Sequence, residues 1–501
     1  MLRILSFRRT VTDTENFRWR PGHVGLGRLP DHAGNHRPKT FRSPREAAAS
    51  STEISVDPMT TSRRNFLRFA LAAPLAGSAL AACGTAGPST AGGGAAGGGA
   101  PSIWIISGQP GEGIRSNTVK RFNEANPDIK FDTATFQNDA YKTRIRTAVG
   151  ANQAPTLIWG WGGGTLRSYV EAGQVDDLTS WLDQNAGVKD RLLPSAFAAG
   201  TVDGKVYGMP CETVQPIVLY YNKRVFERVG AQPPQTWGDV MELVPRFNAQ
   251  GIAPFSLGGQ SRWTNMMWLE FLFDRIGGSE VFQAVADGEA DAWSNPLAIQ
   301  ALTMTQDLVK ANGFINGFSS ITADSNADQA LLYTDKAAMM LHGSWTYGSM
   351  SSEGGDFVSG GHLGYMNFPP VDGGKGDPSD TVGNPAQYLS ISSKATDQQK
   401  EAAKKYLATA VLSDAEVQEW IDAGAVPIVK GAEAKLAGSK DADFLNFIYE
   451  VASTTKTFAQ SWDQALSPTA AEKLLDNIAQ LFQLSISPQQ FATNMNQVIG
   501  Q

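Results

Sequence analysis

Cysteine and histidine are scarce in this chain. Its 501 residues contain two cysteines, Cys83 and Cys211, and five histidines, of which only His342 and His362 lie beyond the first 36 residues. Metal centres built from clustered Cys and His side chains are therefore weakly supported. The sequence also contains no HExxH motif, no GxSxG motif and no phosphate-binding lysine loop. These absences argue against a metalloprotease, a serine hydrolase and a P-loop enzyme.

The body of the chain is short of positive charge. The whole sequence carries a net charge of −7, but from Cys83 onward 29 basic residues stand against 43 acidic ones. A surface with this excess of carboxylates repels phosphate groups. Neither nucleic acid nor an anionic lipid surface is expected to bind the body of the protein.

The N-terminal segments are typical of processing and targeting, not of a folded domain. Residues 1–58 contain no periodic apolar stretch and are expected to be an upstream, non-structural extension, with Met59 as the working start. Residues 59–82 contain Arg63-Arg64 followed by a short apolar run, the pattern of a twin-arginine export signal. We expect them to be a signal peptide.

A lipid anchor is predicted at Cys83. The sequence Leu80-Ala81-Ala82-Cys83 resembles the lipobox of bacterial lipoproteins, in which the new N-terminal cysteine is acylated. Residues 83–101 are then rich in Gly and Ala, a composition typical of a flexible tether. An acylated Cys83 leaves Cys211 without a partner for an intramolecular disulfide.

After the tether, strand patterns alternate with helix patterns. Apolar runs at residues 102–106, 129–136 and 156–159 predict strands of a largely parallel sheet, whose ligands bind beyond the carboxyl ends of the strands. The third strand ends in Trp159-Gly160-Trp161 and three further glycines. Glycine allows a ligand to approach the backbone, and an indole offers a flat apolar face for a pyranose ring. We expect Trp161 to be the exposed tryptophan of this pair.

The stretch from Asp203 to Lys223 predicts a crossing between two sheets. Pro210 and Pro216 bracket polar groups between two short strands, which is unlike a hairpin. Glu212 and Gln215 would then lie where two lobes meet, and their carboxylate and carboxamide groups could bind hydroxyl groups. A buried glutamate that caps a neighbouring strand end is the alternative, and this stretch alone leaves it open.

Two later tryptophans follow glycine-containing loops or strand ends. Trp263 is expected just outside a helix over residues 265–276, and Trp345 follows a buried strand that ends at Gly343. Both are ligand candidates, although each could also belong to the core. Tryptophans within apolar runs or at amphipathic positions are assigned to packing: Trp104, Trp181, Trp268 and Trp420.

Five segments in order resemble the extracellular solute-binding proteins of bacterial ABC importers, specifically the carbohydrate-binding group that includes the maltodextrin-binding proteins. The segments are PTLIWGWGGGTLRSYVEAGQVDDLT, DGKVYGMPCETVQPIVLYYNK, KAAMMLHGSW, GAVPIVKGA and SWDQALSP. The resemblance implies a two-lobe α/β fold with hinge crossings and a helical C-terminal region. It places lobe 1 at residues 102–213 and 386–412, and lobe 2 at residues 217–383 and 414–501.

The resemblance also implies which side chains surround a ligand in the cleft between the lobes. Carried over to matching positions of this sequence, they are Gln109, Trp161, Glu212, Gln215, Trp263, Trp345 and Trp462. Asn384 is added from its position near the second crossing. Aromatic faces would contact sugar rings, whereas the Glu, Gln and Asn groups would bind sugar hydroxyls. No cofactor, metal or catalytic residue is implied.

The implied function is sugar capture for import, without catalysis. The expected ligand is a disaccharide such as xylobiose, cellobiose or chitobiose, trapped by hinge closure and delivered to ABC permease subunits with a separate ATPase. The protein would be a monomer that is exported and held by lipidated Cys83 at the outer face of the cytoplasmic membrane. The alternatives are a secreted carbohydrate-active enzyme such as a glycosidase, and a binding lipoprotein for a solute other than a sugar.

Overall fold

The computed structural model describes residues 99–500. The predicted extension at 1–58, the signal peptide at 59–82, the lipidated Cys83 and nearly all of the tether lie outside the described residues. Within residues 99–500, no helix combines the length and the apolar composition that crossing a bilayer requires.

The strands of the described region are mostly short, and β7 is the longest. In chain order they are β1 (Ser102–Ile106), β2 (Asp132–Phe136), β3 (Leu157–Gly160), β4 (Thr201–Val202), β5 (Lys205–Val206), β6 (Met209–Cys211), β7 (Thr213–Asn222), β8 (Ala253–Phe255), β9 (Ala337–Gly343), β10 (Leu363–Met366), β11 (Thr381–Asn384), β12 (Gln387–Ile391), β13 (Val426–Pro427) and β14 (Phe458–Gln460).

Helices fill most of the chain between these strands. In chain order they are α1 (Gly111–Ala125), α2 (Asn138–Gly150), α3 (Gly163–Glu171), α4 (Thr179–Gln184), α5 (Ala186–Asp190), α6 (Lys223–Val229), α7 (Trp237–Asn248), α8 (Trp263–Gly277), α9 (Ser279–Ala286), α10 (Pro296–Lys310), α11 (Ala327–Tyr333), α12 (Thr346–Glu353), α13 (Asp397–Thr409), α14 (Asp414–Asp422), α15 (Glu433–Ala437), α16 (Ala442–Thr454), α17 (Trp462–Ala465), α18 (Pro468–Phe482) and α19 (Pro488–Asn496). Short 3₁₀ turns occupy Pro194–Gly200, Ala292–Ser294, Phe318–Ser320 and Ala323–Ser325.

The strands form two main sheets. The first has the order β2-β1-β3-β12-β6, in which β1 is parallel to β2 and β3 while β12 is antiparallel to its neighbours. The second has the order β14-β11-β7-β9-β8, with β10 and β13 also paired to β7. The predicted α/β class is confirmed. Parallel pairing joins β1 to β2 and β3 in the first sheet, and it also joins β8 to β9 and β11 to β14 in the second.

The chain crosses between the sheets at the predicted stretch. β6 lies at the edge of the first sheet, a position that tolerates Pro210 because an edge strand needs no N–H donor on its outer side. One residue later the chain enters the second sheet as β7, and the linking residue, Glu212, has a φ of 65°. The chain returns from β11 to β12 through Pro385 and Ala386. The division into lobes at these crossings remains our prediction.

Local signals fixed several helix ends. Thr236 and Thr396 each form a capping box, with Asp239 and Gln399 as the reciprocal partners. Other boundaries differ from the predicted ones: β2 begins at Asp132 and not at residue 129, and α8 begins at Trp263 itself and not after it.

Two apolar clusters fill the molecule on either side of the second sheet. One contains the first sheet together with the inward face of α14 and α16. The other contains α8, which is buried along almost its whole length, and packs it against α10 and α18. Helix α14 also contacts α1, so the C-terminal helices are not confined to the second sheet.

Candidate ligand-binding cleft

Two adjoining cavities lie between the two sheets. The inner chamber has a volume of about 230 Å³ and the outer chamber about 430 Å³. Six predicted site residues line the inner chamber: Gln109, Trp161, Gln215, Trp263, Trp345 and Asn384. The outer chamber is lined by residues that include Arg146, Thr165, Tyr169, Gln260, Tyr388 and Glu472. The structure therefore brings most of the predicted side chains to one place.

Amide groups form one side of the inner chamber. Gln215 on β7 and Asn384 on β11 are direct cross-strand partners, so both crossings contribute a carboxamide at the same level. Asn384 is 8% exposed and its Oδ1 atom has no protein partner. Gln109 reaches the chamber from the exposed loop after β1. Buried acceptors of this kind are costly unless something donates to them, so Asn384 Oδ1 suits a ligand hydroxyl.

An aromatic group forms another side. The ring centroids of Trp263 and Trp345 lie 6.2 Å apart, and His342 contacts each of them edge-on at 5.4 Å. His342 is 2% exposed, accepts the Gly343 N–H at Nδ1 and places Nε2 3.3 Å from a carboxylate oxygen of Asp328. These contacts fix the orientation of the imidazole, and the imidazole in turn positions both indoles.

Gly343 is required by the Trp345 ring, whereas a Cβ atom at Gly160, the glycine between Trp159 and Trp161, would meet nothing within 4 Å. A Cβ atom at position 343 would lie 1.8 Å from a ring carbon of Trp345. We expect Gly343→Ala to lower the free energy of unfolding by about 1–3 kcal/mol through overpacking, as measured by urea unfolding. In a Trp345→Ala background the same substitution is expected to cost little. An equal cost in both backgrounds would contradict this account of the glycine.

One face of α2 carries the polar contacts across the cleft. Asp139 accepts the indole N–H of Trp263 at 3.1 Å, Lys142 pairs with Asp463 at 2.8 Å, and Arg146 lies 3.6 Å from Glu472. None of these residues was predicted from the sequence. Their spacing along the helix was the available signal, because residues 139, 142 and 146, three and four positions apart, share one face.

Glu212 is not a cleft side chain, and this prediction is corrected. It is 3% exposed; its two carboxylate oxygens accept from Arg115 at 2.8 and 2.7 Å, and Oε1 also accepts the Trp159 indole N–H at 2.6 Å. Burial disfavours the charge on Arg115, but Glu212 outweighs it and raises the pKa of the guanidinium. Glu212 is therefore buried, as in the alternative left open by the sequence, but its carboxylate binds the side chains of Arg115 and Trp159 and not a strand end.

The prediction that Trp462 surrounds the ligand is also corrected, because its indole lies in the core. It is fully buried, stacks on Phe282 at 4.4 Å and contacts Trp293 at 5.2 Å. Its backbone N–H donates to the carboxylate of Glu270 at 2.6 Å, and burial raises the pKa of that carboxyl well above its usual range. The helix α17 that Trp462 begins still contributes Asp463 and Gln464 to both chambers.

Two further tryptophans reach the chambers. Trp159 is 4% exposed yet borders both chambers, and the more exposed Trp161 packs edge-on against it at 4.7 Å. Trp420, which the sequence analysis assigned to packing, borders the inner chamber and lies 5.6 Å below the guanidinium of Arg115. In the described part of the chain, no group of three His, Cys, Asp or Glu side chains has the arrangement of a metal site.

Comparison with known proteins identifies the family. The family model of the bacterial extracellular solute-binding proteins matches residues 107–419, which is more than half of the chain. The chain belongs to this family. The match includes the α2 face, both crossings and the strand that leads to Trp345.

Individual relatives of this solute-binding protein agree with the assignment. A multiple sugar-binding protein of Streptococcus mutans is 30% identical over 295 residues, which cover 54% of this chain and 66% of the relative. A solved structure from work on xylan utilization by the thermophilic bacterium Caldanaerobius polysaccharolyticus is 30% identical, with a TM-score of 0.72, and the match covers 80% of this chain and all of that one. A chitin oligosaccharide binding protein shares the fold at 22% identity, with a TM-score of 0.69 and coverage of 79% and 97%. The solute-binding protein spans about half to two thirds of the length of the curated relatives.

Proposed function

We propose that this solute-binding protein is the sugar-capturing component of an ABC importer, with an oligosaccharide as its ligand. The inner chamber carries the proposal, since it combines indole faces with amide groups from both crossings. Relatives described as sugar-binding, and neighbours from work on xylan and chitin, support the same class of ligand. A disaccharide such as xylobiose, cellobiose or chitobiose is our specific hypothesis.

The two chemical surfaces of the chamber match the two surfaces of a pyranose ring. The C–H faces of such a ring pack on the indoles of Trp263 and Trp345, while its hydroxyls reach Gln109, Gln215 and Asn384. A ligand that contacts both crossings favours the closed arrangement of the lobes, because it binds that arrangement more tightly than an open one. Binding without bond cleavage is then sufficient for function.

Capture at a membrane implies further partners. We propose an exported protein with lipidated Cys83 as its anchor, and permease subunits with a separate ATPase as the recipients of the sugar. Labelled palmitate should enter the wild-type protein but not a Cys83→Ala variant, and the variant should be released into the medium. Retention of the variant at the membrane would contradict the anchor.

Loss of an aromatic face is expected to weaken binding. We expect Trp345→Ala to reduce affinity about 30-fold in calorimetric titrations with xylobiose, cellobiose and chitobiose, the effect of truncating a central aromatic anchor. Trp181→Ala is the matched control, since Trp181 is a partly buried tryptophan bordering a different surface depression. Equal affinity of both variants for every sugar would argue against the inner chamber as the site.

An enzyme and a non-sugar receptor are the alternatives to test. Turnover of aryl glycosides by the purified protein would favour a glycosidase. Absence of heat with all three sugars, together with tight binding of an amino acid or a polyamine, would overturn the sugar proposal. Saturable binding of a saccharide without turnover is the result that we expect.

A further inference from the structure

The inner and outer chambers share a common wall. The residues that border both are Lys142, Trp159, Trp161, Trp263, Asp463 and Gln464. Within this wall, Lys142 comes from α2 and Asp463 from α17, so the ion pair bridges structural elements on opposite sides of the cleft. We call this pair the partition.

The ammonium group of Lys142 occupies the position that a stacked sugar would need. It lies 4.9 Å from the ring centroid of Trp161 and 5.8 Å from that of Trp263. Its side chain is 21% exposed, whereas that of Asp463 is 6% exposed. A cation held against the Trp161 indole blocks a pyranose ring from the same face, because both use the same π surface.

When the partition opens, the Asp463 carboxylate keeps one hydrogen-bond donor. Lysine carries its charge at the end of a flexible four-carbon stem, so the ammonium can turn toward solvent. Asp463 keeps a second partner, because the side-chain N–H of Gln464 donates to it at 2.8 Å. A ligand hydroxyl could then donate to the same carboxylate in place of Lys142.

The outer chamber is built to receive more of a sugar chain once the partition opens. It is the larger of the two, and Trp161 and Trp263 continue into it from the inner chamber. The hydroxyl of Tyr169 is buried there without a protein partner. An aromatic surface beside an unpartnered hydroxyl repeats the chemistry of the inner chamber.

We propose that Lys142 is a specificity-determining residue that limits the ligand to the rings held by the inner chamber, and that its removal admits longer oligosaccharides into the outer chamber. This inference rests on the proposed function, because it assumes a saccharide ligand. To enter the outer chamber, a longer sugar must break the cation–π contacts and the partly buried ion pair of Lys142. Breaking them lowers the affinity for that sugar by about tenfold. A longer sugar therefore gains little over a shorter one in the wild-type protein.

The test is a chain-length series of saccharides on the full chain. Calorimetry with the di-, tri- and tetrasaccharides of xylose, glucose and N-acetylglucosamine gives the ratio of tetrasaccharide to disaccharide affinity for each protein. We expect a ratio near one for the wild type and a ratio raised about tenfold for Lys142→Ala. Lys142→Met, which keeps the stem and removes the charge, should raise the ratio less.

Lys400→Ala is the matched control. Lys400 is also 21% exposed and pairs with Asp176 at 2.8 Å, but it borders neither chamber. The ratio of tetrasaccharide to disaccharide affinity for Lys400→Ala should equal that of the wild type. Thermal unfolding verifies that each variant is folded, and Lys142→Met replaces Lys142→Ala if the latter does not fold.

The outcomes separate this inference from the proposed function. If the wild type binds saccharides but the ratio stays within about twofold in both Lys142 variants, the inference is wrong and the function stands. Loss of all saccharide binding in both folded variants also overturns the inference, since Lys142 would then contact the ligand itself. Absence of heat with every saccharide for the wild type overturns the proposed function, and the inference falls with it.

Discussion

Replacing Glu212 by alanine is expected to lower the free energy of unfolding by about 3–5 kcal/mol. The substitution leaves the Arg115 guanidinium buried without its carboxylate, and breaking a buried ion pair on one side typically costs this much. The Trp159 indole N–H loses its acceptor as well. Urea unfolding followed by tryptophan fluorescence measures the effect, which should appear without any ligand present.

Glu419→Ala provides a matched control, because its partner also lies on α1. Glu419 of α14 pairs with Arg121 of α1, and these side chains are 30% and 34% exposed. Solvent-exposed pairs contribute about 1 kcal/mol or less, so this variant should unfold close to the wild type. If Glu212→Ala were as stable as Glu419→Ala and failed only in sugar binding, Glu212 would be a ligand residue after all.

Glu212 and Gln215 show which feature of the crossing was predictable from the sequence and which was not. Both were predicted from one stretch, and the prolines there correctly indicated a crossing, because proline restricts strand pairing through its own missing N–H. Which residue faces the cleft depends on a distant partner. Arg115 lies 97 residues before Glu212 in α1, and an arginine in a helix gives no sign that it is buried.

The same dependence on distant partners explains why the sequence did not separate ligand-binding tryptophans from core tryptophans. Trp345 lines the inner chamber and Trp462 lies in the core, although both follow short polar or glycine-containing stretches. A tryptophan has enough apolar surface to suit either place, so the packing of α8 and α9 around position 462 decided the outcome. Trp420 is buried in the core as predicted, and its ring also borders the inner chamber, which the amphipathic pattern does not indicate.

Elements with a local cause were predictable in detail. The strand β1 has the predicted bounds, and the capping boxes at Thr236 and Thr396 arise from residues only three positions apart. The order of strands in the second sheet was not predictable in this way. It joins β11 to β14 and β7, which are far apart in sequence, and such pairing depends on the whole core.

Glu416 is expected to make stability fall as the pH rises from about 4.5 to about 7. It is 4% exposed, and burial is the main cause that raises the pKa of its carboxyl to about 7, with the nearby Glu212 carboxylate also raising it. The Leu412 N–H donates to this carboxyl, which opposes the shift without cancelling it. The folded state therefore holds a proton that the unfolded state releases near its ordinary value of 4.5.

The sign of the effect follows from this difference in bound protons. Below pH 4.5 both states are protonated at this site, and above pH 7 both are ionised, so the folded state loses about 3 kcal/mol across that interval. Glu416→Gln carries no proton to lose. Its free energy of unfolding, relative to the wild type, should rise by about 3 kcal/mol between pH 4.5 and pH 7.5 in urea titrations. Glu433→Gln is the control, because Glu433 is exposed and its own backbone N–H, followed by the Tyr449 hydroxyl, lowers its pKa. Its contribution to stability changes below pH 4.5, so its difference curve should be nearly flat between pH 4.5 and pH 7.5. A flat curve for Glu416→Gln would mean that this carboxyl is ionised in the folded protein throughout the interval, with the N–H donors of Leu412 and Trp420 outweighing burial.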